Sequence, residues 1–323
     1  MNKRILGRTG FAVSEIGFGA WAIGGNTYGN SYGPTDDAES QRAVRRALDL
    51  GCTFFDTADV YGHGHSEEVL GAALAGERSK VVVATKVGGN FYNRGVHALL
   101  HDRIGQMLGS PYDAIPADAP LPVTHDSTFT PEYVRFALEQ SLRRLGTDYV
   151  DLLQLHNPAL NLIAAMDTYG VLEDLKQEGK IRAYGVSIHP VEEGMAAIQA
   201  TMPDTIQVVY NIARREPEDG LLAAARAANV GIIAREPLAN GFLAGRYGAD
   251  AAWEAGDIRA RMPRPYVAKM TALGARVSEL AAQSRVSPAQ LALRFVLDNP
   301  DVGVVIVGMK TVKQVDDNFA LEQ

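Results

Sequence analysis

Four side chains of types used in acid–base chemistry follow apolar runs of the sequence, namely Asp56, Tyr61, Lys86 and His156. A tyrosine phenol has an ordinary pKa of about 10 and is a poor acid at neutral pH unless a nearby cation favours its phenolate. Lys86 is a candidate for that cation, and Asp56 can hold Lys86 through an ion pair. His156 can then orient a carbonyl oxygen beside Tyr61. This set predicts protonation of a carbonyl oxygen while hydride reaches its carbon, or the reverse oxidation.

Eight short apolar runs, rich in β-branched residues, predict β-strands, and most are separated by stretches with helical spacing. The runs are Glu15–Trp21, Thr53–Ala58, Val81–Val87, Val150–His156, Ile181–Ser187, Ile206–Asn211, Val230–Arg235 and Val302–Met309. The predicted helices are Thr35–Leu50, Ser66–Ala75, Pro131–Leu145, Ala164–Gln177, Val191–Thr201, Glu218–Ala228, Pro288–Asp298 and Thr311–Leu321.

Strands that are apolar on both faces and alternate with helices belong to a parallel sheet covered by helices. Eight such units predict a closed (β/α)8 TIM barrel, in which the side chains at the carboxyl ends of the strands converge on one mouth. The competing arrangement, a doubly wound open sheet for a dinucleotide, requires G-x-G-x-x-G after the first strand. Here Gly17-Phe18-Gly19 is followed by Ala20-Trp21-Ala22, so the sequence favours the barrel.

We expect residues 1–323 to form a single barrel domain, since α/β barrels often reach about 250 residues before extra loops are counted. The segment Arg4–Ser14, with a turn at Gly10, predicts an N-terminal β-hairpin at the barrel bottom. Two long stretches, Gly88–Ser127 and Ala239–Arg264, follow the third and seventh strands. Barrel enzymes carry their substrate and cofactor loops at these strand ends.

The composition excludes several kinds of partner. Lys and Arg number 31 against 38 Asp and Glu, and a net charge of −7 has the wrong sign for holding nucleic acid. The one cysteine, Cys52, excludes an internal disulfide and a cysteine-based zinc site, and it fits a reducing compartment. With no apolar run approaching roughly 18 residues and no signal-peptide pattern, we expect a soluble, cytoplasmic protein without a membrane span.

An ordered series of short motifs resembles the aldo-keto reductase family over nearly the whole chain. The motifs are Leu6-Gly7-Arg8-Thr9-Gly10, Gly17-Phe18-Gly19-Ala20-Trp21, Phe55-Asp56-Thr57-Ala58 with Tyr61-Gly62, Ala84-Thr85-Lys86, Ser141-Leu142-Arg143-Arg144-Leu145, Asp151-Leu152-Leu153-Gln154-Leu155-His156, Gly179-Lys180-Ile181-Arg182, Gly185-Val186-Ser187, Pro237-Leu238-Ala239-Asn240-Gly241, and Val307-Gly308 with Gln314 and Asn318. The resemblance implies a (β/α)8 barrel and an NAD(P)-dependent reductase or dehydrogenase for a small-molecule carbonyl or alcohol. Its catalytic tetrad falls on Asp56, Tyr61, Lys86 and His156.

The same resemblance implies the residues that hold the cofactor. They are Ala20, Trp21, Asp56, Ser187 and Gln207 at the nicotinamide, Arg235, Glu236, Pro237, Leu238, Asn240, Gly241 and Arg246 along strand seven and the pyrophosphate loop, and Gly308, Lys310, Gln314 and Asn318 toward the adenosine. Lys310 favours NADP(H) over NAD(H), because a point cation gains most from the dianionic 2′-phosphate.

Two residues depart from the family pattern. Ile188 stands where an Asn or Arg usually follows the serine, and Arg235 stands where an aromatic ring usually stacks on the nicotinamide; a planar guanidinium can stack there instead.

Two other functions compete with this interpretation. The pair His63 and His65, together with His156 and His189, resembles the ligand layout of metal-dependent hydrolases. The pair lies in a glycine loop beyond its strand and no carboxylate ends strand eight, so we predict no metal site. The second alternative is an NADPH-binding sensor or regulatory barrel with little turnover, which the intact tetrad disfavours. The Gly/Asn/Tyr-rich segment Gly24–Gly33 favours a sugar or other polar carbonyl as substrate.

Overall fold

A computed structural model describes residues 1–28, 31–89, 105, 128–163, 166–248, 250–254 and 256–321. The β-strands in these ranges are β1 (Lys3–Ile5), β2 (Ala12–Ser14), β3 (Ile16–Gly19), β4 (Phe54–Asp56), β5 (Val82–Val87), β6 (Val150–His156), β7 (Ile181–Ser187), β8 (Thr205–Val209), β9 (Gly231–Arg235) and β10 (Val302–Gly308). The α-helices are α1 (Asp37–Asp49), α2 (His65–Ala73), α3 (Pro131–Leu145), α4 (Leu160–Ile163), α5 (Met166–Gln177), α6 (Val191–Ala200), α7 (Leu221–Ala227), α8 (Arg264–Gln283), α9 (Pro288–Leu297) and α10 (Val312–Phe319). None of these helices is long and apolar enough to cross a membrane.

Eight of the strands form a closed barrel in the order β10, β3, β4, β5, β6, β7, β8 and β9, and each neighbouring pair is parallel. This arrangement confirms the predicted (β/α)8 barrel. Because all eight strands run the same way, their carboxyl ends meet at one rim. The register places Lys86 of β5 opposite Gln154 of β6, and His156 of β6 opposite Ser187 of β7.

The helices around the barrel begin where the sequence provides capping residues. The Thr130 and Ser287 hydroxyls accept hydrogen bonds from the backbone N–H groups of Tyr133 and Gln290, and each is followed by a first-turn proline. A capped N–H and a fixed proline φ both favour the start of a helix. The predicted starts at Pro131 and Pro288 are therefore confirmed.

Apolar side chains fill the barrel interior below the rim. Phe54, Leu152 and Ile233 are among those that pack inside it, and Leu6 and Phe11 of the N-terminal segment close the bottom. The strands β1 and β2 pair antiparallel there and confirm the predicted hairpin. The N-terminal segment packs tightly against the barrel, because a Cβ at Gly7 would lie 2.2 Å from the backbone nitrogen of Gly231.

The sequence predicts two long loops at the barrel mouth. The predicted loop Gly88–Ser127 lies outside the described residues, except for Gly88, Gly89 and Gly105. The predicted loop Ala239–Arg264 contains two 3-10 turns, Ala239–Ala244 and Ile258–Arg261. It runs directly into α8, which the sequence patterns did not predict.

Helix α8 holds the loop over the barrel mouth. Its buried residues include Val267, Met270, Gly274 and Val277, which follow helical spacing. Because glycine is not strongly apolar, Gly274 makes the buried face of α8 less distinct from its exposed face in the sequence, and helices are predicted from that difference. The same glycine lets α8 approach the turn before it, since a Cβ at Gly274 would lie 2.3 Å from the carbonyl oxygen of Phe242.

Candidate active site

The structure brings the four predicted catalytic residues together at the rim. Asp56 ends β4, Lys86 lies one residue before the end of β5, and His156 ends β6. Tyr61 lies in the turn after β4, where its N–H donates to the carbonyl of Ala58 at 3.2 Å. Parallel strands that end at one rim place side chains distant in sequence around a common point.

The Lys86 side chain is fully buried and uses all three of its ammonium donors within this cluster. Its Nζ donates to Asp56 Oδ1 at 2.5 Å, to the Thr57 carbonyl at 2.8 Å and to Tyr61 Oη at 3.1 Å. Burial by itself lowers the pKa of Lys86, but the interactions with Asp56 and Tyr61 outweigh burial and raise it above the ordinary value. Lys86 therefore remains a cation at neutral pH.

The Tyr61 phenol keeps its proton at neutral pH. Burial raises the pKa of Tyr61 above its ordinary value, and the negative charge of Asp56 adds to the rise. The Lys86 cation acts in the opposite direction, as the sequence predicts, but it does not overcome burial. The phenol is thus a proton donor, and any negative charge that forms on its oxygen lies 3.1 Å from the Lys86 ammonium.

The His156 imidazole is neutral in this setting. Burial, together with the positive charges of Lys86 and Arg235, lowers the pKa of His156 well below its ordinary value. Its ring stands edge-on to the Tyr61 ring, with centroids 5.8 Å apart, and the Trp21 ring lies 6.0 Å from Tyr61. A neutral imidazole offers one donor and one acceptor, so His156 can hold a carbonyl oxygen without competing for its proton.

Two glutamine amides hold the second oxygen of Asp56. Gln154 Nε2 donates to Asp56 Oδ2 at 3.1 Å, and Gln207 Nε2 donates to the same oxygen at 2.8 Å. The other amide atom, Gln207 Oε1, is buried and has no hydrogen-bond partner among the described residues. A buried acceptor of this kind suits a donor from a ligand, such as the amino group of a nicotinamide carboxamide.

Gln154 was not predicted as a site residue, although the sequence carries a signal for it. It is the one polar residue in the run Leu152–Leu155 and stands two positions before His156. Residues two apart in a strand point to the same face, so Gln154 and His156 share one side of β6.

A cavity of about 640 Å³ opens next to this cluster, within the usual range for ligand sites. Most predicted cofactor residues line it, namely Trp21, Asp56, Gln207, Arg235, Glu236, Pro237, Leu238, Asn240, Gly241, Arg246, Gly308, Lys310, Gln314 and Asn318. Ala20 and Ser187 do not line it. Ala20 is fully buried, and its carbonyl accepts from Ser66 Oγ at 2.8 Å. Ser187 is also buried, and it lies in register between His156 and Gln207.

The charge around the cavity is opposite in sign to that of the whole protein, whose net charge is −7. The cationic side chains in its described lining are Arg235, Arg246, Arg259 and Lys310, and the carboxylates are Asp56 and Glu236. A local excess of positive charge in a cleft attracts anions. The lining therefore suits an anionic ligand such as a dinucleotide.

The backbone after β9 is strained where the cofactor loop was predicted. Glu236, Ala239 and Asn240 have φ angles of 56°, 45° and 57°, and Gly241 follows with 88°. Left-handed backbone at residues other than glycine costs about 1–3 kcal/mol each and occurs mainly at functional sites. The Ala239 and Gly241 N–H groups donate to the carbonyls of Glu236 and Leu238, both at 2.9 Å, and these bonds hold the turn in this conformation.

The Arg235 guanidinium spans from β9 to the end of β7. Nη1 donates to Glu236 Oε1 at 2.6 Å, and Nη2 donates to the Ile188 carbonyl at 3.1 Å and contacts His189 Nδ1 at 3.1 Å. The two residues that depart from the family pattern are thus in contact with each other. The Ile188 side chain is fully buried in the apolar core and does not line the cavity.

Two lining residues that no motif marks, Tyr32 and Arg259, close the cavity from above. The Tyr32 hydroxyl donates to Asn240 Oδ1 at 2.8 Å, and the Ile258 N–H donates to the Ser31 carbonyl at 3.0 Å. The Arg259 guanidinium lies 4.9 Å from the Tyr32 ring centroid. These contacts join the segment after β3 to the segment before α8 across the mouth.

His65, one of the histidines of the hydrolase alternative, has other partners. His65 Nδ1 contacts the Gly24 carbonyl at 3.0 Å, and His65 Nε2 contacts Asp37 Oδ2 at 2.9 Å. No group of three or more His, Cys, Asp or Glu side chains able to hold a metal occurs in the described part of the chain. With both ring nitrogens engaged, His65 is not placed to ligate a metal together with His63.

Asp59 is a second carboxyl in this region, fully buried behind the cluster. Burial and the negative charge of Glu67 raise the pKa of Asp59 to about 7, while Arg144 and the backbone N–H groups of Val60 and Gly89 offset the rise only in part. Between the ordinary value of 3.8 and about 7, the folded protein keeps a proton that the unfolded chain has released. Stability is therefore lost as the pH rises through this window.

The Asp59→Asn variant is expected to be more stable than the parent protein, and increasingly so as the pH rises. Removing the buried charge raises the free energy of unfolding by roughly 4 kcal/mol near pH 8 and by less than half of that near pH 5. Urea denaturation at both pH values measures the difference. The same substitution at exposed Asp174 controls for the loss of one negative charge, and a gain that does not depend on pH would contradict the assignment.

Comparisons with known proteins agree with this geometry. The model of the Aldo/keto reductase family matches residues 15–323. The aldo-keto reductase YhdN of Bacillus subtilis (strain 168) is 32% identical over 323 residues, covering 98% of this chain and 87% of the relative. The NADH-specific methylglyoxal reductase of Escherichia coli (strain K12) is 31% identical, with 99% and 93% covered. The structure of the glycerol dehydrogenase of Gluconobacter oxydans superposes with a TM-score of 0.76 at 29% identity, covering 100% of this chain and 90% of that one.

Proposed function

The chain belongs to the aldo/keto reductase family, and we propose that it reduces a polar aldehyde or ketone with NADP(H), with Tyr61 as the general acid. The observation that carries this proposal is the bond from Lys86 Nζ to Tyr61 Oη, 3.1 Å long, at the base of a cavity of about 640 Å³. A buried phenol beside a buried ammonium is suited to release its proton to a substrate oxygen, because the ammonium stabilises the phenolate that remains.

In the proposed mechanism, the substrate carbonyl oxygen accepts hydrogen bonds from Tyr61 and His156. The dinucleotide, when bound, supplies the hydride for the carbonyl carbon. As negative charge develops on the oxygen, Tyr61 transfers its proton, and the Lys86 cation balances the charge on the phenolate. Asp56 keeps Lys86 in place through the 2.5 Å ion pair.

The residues fit the proposed cofactor along the whole cavity. Gln207 Oε1 offers the buried acceptor for the carboxamide, and Arg246, in the loop after β9, offers a cation for the pyrophosphate. At the other end, Lys310 Nζ donates to the carbonyls of Tyr32 and Pro34 at 3.1 and 3.2 Å. Burial and the nearby Arg259 cation lower the pKa of Lys310. A phosphate dianion beside Lys310 would therefore stabilise its charged ammonium form.

A polar substrate fits the atoms around the carbonyl site. Asn157 Oδ1 and Arg235 Nε belong to residues that line the cavity, and neither atom has a hydrogen-bond partner within the described residues. An acceptor and a donor of this kind suit hydroxyl groups next to the reacting carbonyl. They support the finer proposal of a sugar or hydroxylated carbonyl over an apolar substrate.

The function is tested by steady-state oxidation of NADPH with a panel of hydroxylated aldehydes, simple aldehydes and apolar ketones. We expect turnover with the first group at the highest kcat/KM. Tight NADPH binding without turnover on any carbonyl would favour a sensor barrel instead. Stoichiometric zinc in the purified protein, with hydrolytic activity, would favour the metal-dependent hydrolase.

The Lys310→Met variant is expected to bind NADPH about tenfold more weakly while its affinity for NADH changes little, because one charged hydrogen bond to the 2′-phosphate is lost. Equilibrium titration with both cofactors measures this. Lys313→Met is the matched control, since Lys313 lies on the same segment but is 81% exposed and paired with Asp317. An equal loss for both cofactors, or none, would show that Lys310 does not contact the 2′-phosphate.

A further inference from the structure

Gln154 lies at the centre of the cluster, and its side chain makes hydrogen bonds to Asp56 and Gln207 but none to Tyr61 or Lys86 among the described residues. It is fully buried in β6, opposite Lys86 in the strand register. Its Nε2 donates to Asp56 Oδ2 at 3.1 Å, and its Oε1 accepts from Gln207 Nε2 at 3.2 Å. Gln154 thus connects the carboxylate that holds Lys86 to the amide that faces the cavity.

The directions of these hydrogen bonds follow from chemistry. A carboxylate can only accept, so each glutamine must present its NH2 group to Asp56 Oδ2. Once Gln154 has its nitrogen toward Asp56, its oxygen is left to accept the second N–H of Gln207. Both donors of the Gln207 amide are then used, at 2.8 and 3.2 Å, and its oxygen has no alternative partner among the described residues.

We propose that Gln154 is a positioning residue, which fixes Gln207 with its oxygen toward the nicotinamide carboxamide and fixes Asp56 against Lys86. The inference rests on the proposed NADP(H)-dependent function. One side chain thereby couples the cofactor end of the cavity to the group that holds the Lys86 ammonium. Without the Gln154 oxygen, one N–H of Gln207 is buried without an acceptor. This unsatisfied donor destabilises the observed orientation of the Gln207 amide and favours its rotation.

The Gln154→Met variant tests this coupling, because methionine keeps the side-chain length and removes both the donor and the acceptor. We expect NADPH to bind about tenfold more weakly, as for the loss of one buried hydrogen bond to the carboxamide. Adenosine 2′,5′-bisphosphate, which lacks the nicotinamide half, should bind with unchanged affinity. The kcat should fall, whereas KM for the carbonyl should change little, since Asp56 is less well fixed and the substrate site is intact.

A double-variant cycle makes the inference sharper. If Gln154 acts on the cofactor through Gln207, the combined Gln154→Met and Gln207→Met variant should bind NADPH no more weakly than Gln207→Met alone. Gln140→Met is the matched control, because Gln140 is a buried glutamine on α3 outside the cavity lining. Its affinity for NADPH should equal that of the parent protein.

The outcomes separate the inference from the proposed function. A parent protein that does not bind NADPH or reduce any carbonyl would refute the proposed function. A parent protein that does both, with a folded Gln154→Met variant of undiminished NADPH affinity, would refute the role of Gln154 alone. Parallel weakening of NADPH and adenosine 2′,5′-bisphosphate, or full additivity in the cycle, would also refute it, since general loosening of the barrel predicts both. If Gln154→Met does not fold, Gln154→Leu is measured in the same way.

Discussion

Replacing Tyr61 with phenylalanine should reduce kcat by roughly a thousandfold, because a positioned general acid contributes about 10²–10⁴ to the rate. The substitution removes one oxygen and keeps the ring that stands edge-on to His156 and near Trp21. The proposed cofactor contacts at Gln207 and Lys310 do not involve the phenol. We therefore expect the NADPH dissociation constant to remain within about twofold of that of the parent protein.

Steady-state kinetics and NADPH titration on the same preparation separate these two effects. Tyr149→Phe is the matched control, because Tyr149 directly precedes the start of β6, and its ring lies under the Arg78 guanidinium at 4.1 Å. That variant should keep the parent kcat. A Tyr61→Phe enzyme with near-parental kcat would show that another group protonates the carbonyl oxygen.

Breaking the buried Lys86–Asp56 pair is expected to have the largest effect on stability. In Lys86→Met, the Asp56 carboxylate loses its 2.5 Å partner in a site where both side chains are almost fully buried. Removing one member of a buried ion pair costs about 3–5 kcal/mol, because the remaining charge is uncompensated. The kcat should also fall by about a hundredfold or more, since the phenolate of Tyr61 loses its balancing cation.

The double variant Lys86→Met with Asp56→Asn separates stability from catalysis. With both charges removed, no uncompensated carboxylate remains, and buried pairs replaced by neutral groups are often as stable as the original. We expect urea denaturation to show that most of the lost stability returns, while kcat remains low. Recovery of kcat together with stability would mean that Lys86 serves only the fold.

Much of the fold was predictable because its signals are local. Each barrel strand is a short apolar run, and the strands β6 and β7 have the boundaries predicted from the sequence, Val150–His156 and Ile181–Ser187. Apolar runs that alternate with amphipathic helices leave few alternatives to a covered parallel sheet. The helix α8 was missed because Thr271 and Gly274 on its inner face reduce the contrast between its two sides.

The candidate site was predictable as a set of positions but not as a set of contacts. Asp56, Lys86 and His156 were predicted because they lie at the carboxyl ends of strands, and parallel strands present their last residues at one rim. Gln154 was overlooked, because its importance comes from the direction of two hydrogen bonds that form only across three strands. Arg259 was overlooked as well, because its place over Tyr32 depends on how two loops meet.

The sequence by itself determined the barrel, the chemistry of the rim residues and an acidic protein with a cationic site, because periodicity, residue type and charge are properties of the chain. Only the tertiary structure decided the protonation of the site. Burial keeps the proton on Tyr61 against the pull of Lys86, and burial with neighbouring cations keeps His156 neutral. Desolvation depends on how completely other segments exclude water from a group, and that quantity exists only once the chain has folded.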